Sequence, residues 1–143
     1  MKLNKILLIH GPNLNLLGMR ETHIYGQDSQ QELFQFIDSS FPEIEFIFFQ
    51  SNHEGLIIDA LHEHQNLVDA IIINAGALSH YSYAIRDAIK AINIPTIEVH
   101  LSNIDQRESF RRNLVFSEVC YDTIFGKGKH SYIDAVNKFK DIE

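Results

Sequence analysis

The sequence has few of the features that mark secreted and membrane proteins. Its 143 residues contain a single cysteine, Cys120, which excludes an internal disulfide. No apolar stretch near the N-terminus is long enough for a signal peptide or a membrane span, so we expect a cytoplasmic protein. Twelve basic and 19 acidic residues give a formal charge of -7. This balance argues against a general surface for nucleic acids or anionic membranes.

Common cofactor motifs are also absent. There is no cysteine pair or HExxH for a metal, no GxGxxG for a dinucleotide and no GxxxxGK[ST] for a phosphate. Eight histidines still raise the question of a metal, but Asp59, His62 and His64 would point to different sides of one helix. Residues 126–129 (GKGK) resemble a phosphate loop only superficially, and a turn explains them equally well. We therefore expect neither a metal nor a cofactor.

Strand-like and helix-like runs alternate along a chain that is 45% hydrophobic. Strands are predicted at residues 5–9, 44–50, 70–74, 96–100 and 119–125. Helices are predicted at residues 29–41, 54–64, 81–92, 106–114 and 131–140, the first opened by a capping box of Ser29 and Glu32. This alternation predicts an α/β fold, a flavodoxin-like three-layer sandwich with a five-stranded parallel sheet. One domain over residues 1–143 is expected.

Polar residues follow the ends of four predicted strands. Open parallel sheets bind ligands beyond the carboxyl ends of their strands, so these residues should converge on one rim. They lie at 10–13 (HGPN), 50–53 (QSNH), 74–80 (NAGALSH) and 98–102 (EVHLS). We therefore expect a polar site that is rich in histidine and asparagine.

The connection after the first strand, residues 10–26 (HGPNLNLLGMRETHIYG), has the composition of a site. Asn13 offers an amide, Arg20 a cation and Tyr25 a phenol. A connection of this length is usually functional or disordered, and its several apolar residues favour an ordered loop that closes over a ligand. A phenol is mostly protonated at neutral pH, so Tyr25 can serve as a base only where a cation such as Arg20 stabilises the phenolate. The alternative is a structural role, in which the tyrosine ring packs against other residues and its hydroxyl is exposed.

Two further groups of residues suggest chemistry. Glu98 and His100 are two apart in a strand, so their side chains share a face, and a carboxylate beside an imidazole favours the protonated ring of a general acid. A structural hydrogen-bonded pair is the alternative. Arg107 and Arg111 are four apart on a predicted helix, with Arg112 adjacent. They suit a carboxylate ligand, or they form a solvated basic face.

Four long segments together resemble the type II 3-dehydroquinate dehydratases. They are GPNLNLLGMRETHIYG at 11–26, FQSNHEGLIIDALH at 49–62, INAGALSHYSYAIRDAI at 73–89 and IEVHLSNIDQRESFRRN at 97–113. The resemblance covers nearly the whole chain. It implies a metal-free, cofactor-free anti elimination of water from 3-dehydroquinate, giving 3-dehydroshikimate through an enolate. It also implies a place in the shikimate pathway, leading to chorismate and the aromatic amino acids, or in quinate breakdown.

Carried over by position, the resemblance gives the candidate residues their roles. Tyr25 becomes the base that removes the C2 proton, and Arg20 activates it. His100 becomes the acid that protonates the departing C1 hydroxyl, oriented by Glu98, while Asn13 holds a water that stabilises the enolate oxygen. The substrate is gripped by Asn74, His80, Leu101, Ser102 and Arg111, and by Asp87 from a neighbouring subunit. The implied assembly is a homododecamer of four trimers.

The sequence departs from the family pattern away from the proton-transfer residues. Asp122 and Thr123 replace a Gly-Val pair in the fifth strand, and the other departures are Thr22, Ala75, Leu78, Ser79, Asn113 and Leu114. Two other functions stay open. The fold and residues 126–129 suit a binding module for a nucleotide or flavin, and the departures in the fifth strand suit an inactive scaffold.

Overall fold

The sheet at the centre of the computed structural model, which describes residues 1–19 and 21–142, has five parallel strands in the order β2-β1-β3-β4-β5. They are β1 (Lys5–His10), β2 (Glu45–Gln50), β3 (Ala70–Asn74), β4 (Thr96–His100) and β5 (Asp122–Phe125). The inner strands β1, β3 and β4 are buried almost throughout, which explains their continuous apolar sequences. The predicted α/β fold with a five-stranded parallel sheet is confirmed.

Helices cover both faces of the sheet. They are α1 (Thr22–Tyr25), α2 (Gln30–Ser40), α3 (Glu54–His64), α4 (Tyr83–Ile92) and α5 (His130–Lys140). Successive residues of a strand point to opposite faces, so Ile6 and Leu8 of β1 join the core under α2 and α5, while Leu7 and Ile9 join the core under α3 and α4. The predicted capping box opens α2, with Ser29 Oγ accepting from the Glu32 N–H at 3.1 Å.

The predicted helix over residues 106–114 is wrong. Two short 3₁₀ turns, Ile104–Gln106 and Ser109–Arg112, take its place. The backbone is extended at Arg107 and Glu108, which interrupts the helical hydrogen bonds. Only Ile104 is buried across these two turns, so the segment has no apolar stripe to hold a helix against the sheet.

The fifth strand is shorter than predicted, and the first connection contains two short helical turns. The fifth strand begins at Asp122 rather than at residue 119, because the N–H groups of Val119 and Cys120 both donate to the carbonyl of Phe116 in a turn. The described part of the first connection is ordered, as expected, with a 3₁₀ turn at Leu14–Leu16 followed by α1. No helix among residues 1–19 and 21–142 is long and apolar enough to cross a bilayer.

A candidate active site at the carboxyl ends of the strands

A cavity of about 120 Å³ lies at the carboxyl end of the sheet, where four parts of the chain meet. Asn13 and Tyr25 come from the first connection, Asn74 and His80 follow β3, His100 ends β4, and the 3₁₀ turns add Arg107 and Arg111. Leu101 also lines the cavity. The expected convergence of the strand ends is therefore confirmed for β1, β3 and β4, whereas the residues after β2 do not line this cavity.

His100 and Glu98 form a close pair at one wall. The Nε2 atom of His100 donates to Oε2 of Glu98 at 2.6 Å, and the Glu98 side chain is completely buried. Residues two apart in a strand share a face, which is why β4 brings the two side chains together. The carboxylate fixes the orientation of the imidazole, and the ring's other nitrogen is left for a ligand.

Tyr25 is held by Arg107. The Nη1 atom of Arg107 donates to Oη of Tyr25 at 2.6 Å, and the guanidinium carbon lies 5.0 Å from the centre of the phenol ring. A cation that donates to a phenolic oxygen stabilises the phenolate more than the phenol. The sequence predicted this chemistry for Arg20, which lies outside the described residues, and it did not predict the contact with Arg107. No local pattern links Arg107 to Tyr25, since the contact depends on how two distant connections fold.

His80 stacks beside His100, with ring centres 6.2 Å apart and planes inclined by 19°. Its Nδ1 donates to the backbone carbonyl of Asn113 at 3.1 Å, and the Asn113 amide donates back to the carbonyl of His80 at 3.1 Å. Burial lowers the pKa of His80, with smaller contributions from the neighbouring cations. A neutral His80 with Nδ1 as donor keeps Nε2 as an acceptor for a substrate hydroxyl.

Arg111 lines the cavity, and its Nε donates to the Glu108 carboxylate at 3.0 Å. This ion pair uses only one edge of the guanidinium, so the terminal nitrogens can still bind a carboxylate. The two arginines meet at the cavity although the helix that was expected to align them does not exist.

Asn74 is fixed by a buried chain of hydrogen bonds. Its Nδ2 donates to Oη of Tyr132 at 3.0 Å, Tyr132 donates to Nε2 of His10 at 2.7 Å, and His10 donates from Nδ1 to Gln30 at 2.9 Å. Burial lowers the pKa of His10 to about 4, so its ring is neutral near pH 7 and can accept from Tyr132. Burial also raises the pKa of Tyr132, which keeps that phenol protonated. The sequence pointed to His10 and Asn74 but not to Tyr132 or Gln30.

Asn13 enters the cavity from a backbone in the left-handed region, at φ 70°, and its N–H donates to the Asn52 side chain at 3.0 Å. Glycine is required two residues earlier, because a Cβ at Gly11 would lie 2.4 Å from the carbonyl oxygen of Ala75. The close approach of these two segments is what brings Asn13 next to the end of β3.

Residues 4–140 match the model of the class II dehydroquinase family. The chain belongs to this family. A 3-dehydroquinate dehydratase from Caldicellulosiruptor bescii is 54% identical over 143 residues, which cover 98% of this chain and 99% of the relative. One from Bacillus licheniformis is 51% identical over 138 residues, or 94% of each chain. The crystal structure of the type II dehydroquinase from Butyrivibrio crossotus superposes with a TM-score of 0.94 at 46% identity, covering 96% of this chain and 98% of that one. The resemblance read from the sequence is confirmed.

Some residues expected at a dehydroquinase site do not line the cavity. Ser102 lines the larger neighbouring cavity instead, and Nη1 of Arg107 approaches its hydroxyl at 3.4 Å. Asp87 is exposed on α4 and lies outside the cavity of its own chain. Arg20 lies outside the described residues, so its role stays a prediction.

A larger cavity of about 580 Å³ lies on the other side of Tyr25, beside the GKGK segment at residues 126–129. Both lysines of this segment are already paired, Lys127 with Asp134 at 2.8 Å and Lys129 with Asp28 at 3.2 Å. Each lysine ammonium of the segment therefore already faces a carboxylate. Within the described part of the chain, no group of three histidine, cysteine or acidic residues could hold a metal ion.

Proposed function

We propose that the cavity dehydrates 3-dehydroquinate by a stepwise elimination, with Tyr25 as the base and His100 as the acid. The family supplies the overall reaction, which makes the protein a type II 3-dehydroquinate dehydratase, a lyase of the shikimate pathway. One observation carries the assignment of roles. A phenol held by a guanidinium and an imidazole held by a carboxylate line the same cavity.

In the first step Tyr25 takes the C2 proton. The electron pair left at C2 moves onto the neighbouring carbonyl and forms an enolate. The 2.6 Å hydrogen bond from Arg107 supports this role, because it stabilises the phenolate that accepts the proton. Arg20, as a second cation, stays a prediction. A water held by Asn13 would donate to the enolate oxygen as its charge develops.

In the second step His100 gives its proton to the C1 hydroxyl, which leaves as water while the enolate electrons form the C1–C2 double bond. Glu98 supports this role, since its carboxylate favours a protonated His100 before the step. Tyr25 then carries one proton too many and His100 one too few, so exchange with solvent restores both. The mechanism uses neither a metal nor a Schiff base.

Three of the substrate-binding roles follow from polar groups of the cavity wall: Arg111 would bind the carboxylate, and His80 and Asn74 would bind hydroxyls. Leu101 lines the same wall, and the role of the Leu101–Ser102 backbone beside the carboxylate stays a prediction. The buried chain behind Asn74 supports its role, since it presents the amide in one orientation. We also take residues 1–143 as one dehydroquinase domain, and the cytoplasmic location stays a prediction.

The assembly is part of the proposal. Asp87 would complete the cavity of a neighbouring subunit in a homododecamer of four trimers. Its exposure on α4 supports this, as do Tyr81 and Tyr83 nearby in the chain, which are 62% and 64% exposed. Sedimentation or light scattering would test it. A monomer at micromolar concentration would contradict the role of Asp87.

The reaction is tested by following the ultraviolet absorbance of the conjugated enone carboxylate after 3-dehydroquinate is added, with borohydride present. We expect a rise with the wild type and a rate at least two orders of magnitude lower with Tyr25→Phe, because the variant has no phenolic base. Tyr121→Phe, at an exposed position outside the cavity, is the matched control. Near-normal turnover by Tyr25→Phe would refute the assigned base, and inhibition by borohydride would indicate an imine route. A flat trace from folded wild-type protein would favour an inactive scaffold.

A further inference from the structure

We infer that Ser117 and Thr123 form a hydroxyl pair that holds the Glu98 carboxylate and, through it, tunes His100 as the acid. The inference rests on the proposed role of His100. Neither hydroxyl lines the cavity, so both are positioning residues rather than catalytic ones.

The two oxygens of Glu98 have separate partners. Oε2 accepts from His100 at 2.6 Å, while Oε1 accepts from the Ser117 hydroxyl at 3.1 Å. Oγ1 of Thr123 lies 3.4 Å from the same Oε1 and 3.1 Å from Oγ of Ser117. The hydroxyl pair therefore occupies the oxygen that His100 does not use, and it prevents the carboxylate from rotating away from the imidazole.

The number of hydrogens on each group sets the direction of these hydrogen bonds. Each hydroxyl carries one hydrogen, and an ionised carboxylate only accepts, so Ser117 donates to Glu98. Thr123 then donates either to Ser117 at 3.1 Å or to Glu98 at 3.4 Å, and the shorter contact favours a chain from Thr123 through Ser117 to Glu98. A hydroxyl that accepts a hydrogen bond donates more strongly, so Thr123 reinforces the bond from Ser117. Both hydroxyls thus favour the ionised carboxylate, which in turn favours protonated His100.

The sheet register explains why position 123 has this influence. Glu98 pairs with Ile73 of β3 on one side and with Thr123 of β5 on the other. Paired residues of neighbouring parallel strands point to the same face, so these are the lateral neighbours of the carboxylate. Ile73 offers it no polar group. A buried carboxylate needs hydrogen-bond donors, and β5 supplies one where a valine would supply none.

Other ionisable groups face the Glu98–His100 pair. His80 stacks on His100, and Cys120 lies close enough that the charge of Glu98 adds to burial in raising the pKa of the thiol to about 12. Among the residues that the structure describes, Tyr25, Arg107 and Arg111 also line the cavity beside this pair. A change at Thr123 leaves all of these groups in place. A comparison of variants at this one position therefore isolates the effect of the hydroxyl.

Thr123→Val removes the hydroxyl and keeps the shape, and Thr123→Ser, the matched control, keeps the hydroxyl. We expect Thr123→Val to move the alkaline limb of the kcat profile toward lower pH by about half a unit to one unit, which corresponds to a three- to ten-fold loss of kcat at a fixed pH on that limb. KM should stay unchanged, since no group that touches substrate is altered. Thr123→Ser should resemble the wild type. A profile for Thr123→Val that superimposes on the wild type, or an equal shift in Thr123→Ser, would overturn the inference.

An NMR titration of the His100 ring gives a second readout that does not need turnover, with the signal assigned by its loss in His100→Gln. It should show the same shift in Thr123→Val.

If Thr123→Val does not fold, Ser117→Ala decides between the same outcomes, because it removes the direct donor from a turn rather than from the sheet. An active wild type without either shift would refute the hydroxyl pair and leave the dehydratase intact. An inactive wild type with the NMR shift would refute the role in catalysis while the effect on His100 stands.

Discussion

Replacing Arg107 by leucine should slow the enzyme chiefly by lowering the fraction of Tyr25 that is present as phenolate. The guanidinium donates to the phenolic oxygen at 2.6 Å, and the arginine side chain is only 10% exposed. A hydrogen bond to a charged group contributes about 1.5 to 3 kcal/mol. If that stabilisation acts on the phenolate, its loss lowers the phenolate fraction at neutral pH by roughly 10- to 150-fold, and kcat falls with it.

The assay is the pH dependence of kcat, followed by enone absorbance. The slower rate of Arg107→Leu should recover as pH rises, because a higher pH deprotonates more of the phenol, so the acidic limb of the profile moves upward by about one to two pH units. Arg107→Lys, which keeps the charge but not the planar fork, should fall between leucine and wild type. The fold should survive the substitution. Within the described part of the chain, Nε of Arg107 is buried without a hydrogen-bond partner, so leucine removes an unsatisfied polar group there.

Two outcomes would refute this reasoning. A pH profile for Arg107→Leu with the wild-type acidic limb would mean that the guanidinium does not act on the phenol. A rise in KM with kcat unchanged would mean that Arg107 binds the substrate instead, as its position in the sequence first suggested.

Two further predictions concern histidines. His100→Ala should lower kcat by two or more orders of magnitude in the enone assay, while the circular dichroism spectrum stays that of the wild type, because only the general acid is lost. His10 should make folding acid-sensitive. The pKa of His10 is about 4 in the folded protein, whereas an unperturbed histidine has a pKa of 6.5. As pH falls, the unfolded chain therefore binds the proton first. Stability should then decrease by about 3 kcal/mol between roughly pH 6.5 and 4. Urea unfolding of His10→Asn should show a smaller decrease, and an equal one would contradict the prediction.

Much of the site could be predicted because it depends on local geometry. Glu98 and His100 meet because strand side chains alternate, which needs no knowledge of the rest of the fold. The convergence of Asn13, Asn74 and His100 follows from parallel pairing, since the carboxyl ends of the strands share one edge. Spacing suggested a general acid at His100, whereas the roles of Tyr25 and His100 in this particular reaction came from the resemblance.

Other parts of the site could not be predicted from any short pattern. The spacing of Arg107 and Arg111 predicted a helix, but the segment has too little apolar surface to be held as one. The backbone at Arg107 is extended instead of helical, and in this conformation Arg107 reaches Tyr25. The contact of Asn74 with Tyr132 and that of Glu98 with Thr123 were likewise unforeseen, because the partners lie far apart along the chain.

The sequence by itself determined the alternation of strands and helices, the burial of β1, β3 and β4, and the chemistry at the strand ends, because hydrophobic periodicity and strand geometry are local properties. The tertiary structure decided that Arg107 contacts the phenol, which hydroxyls hold the carboxylate and which buried chain orients Asn74. These choices depend on sheet register and on the packing of distant connections. Contacts of that kind leave no periodic signal, since each is made once between segments that only the fold brings together.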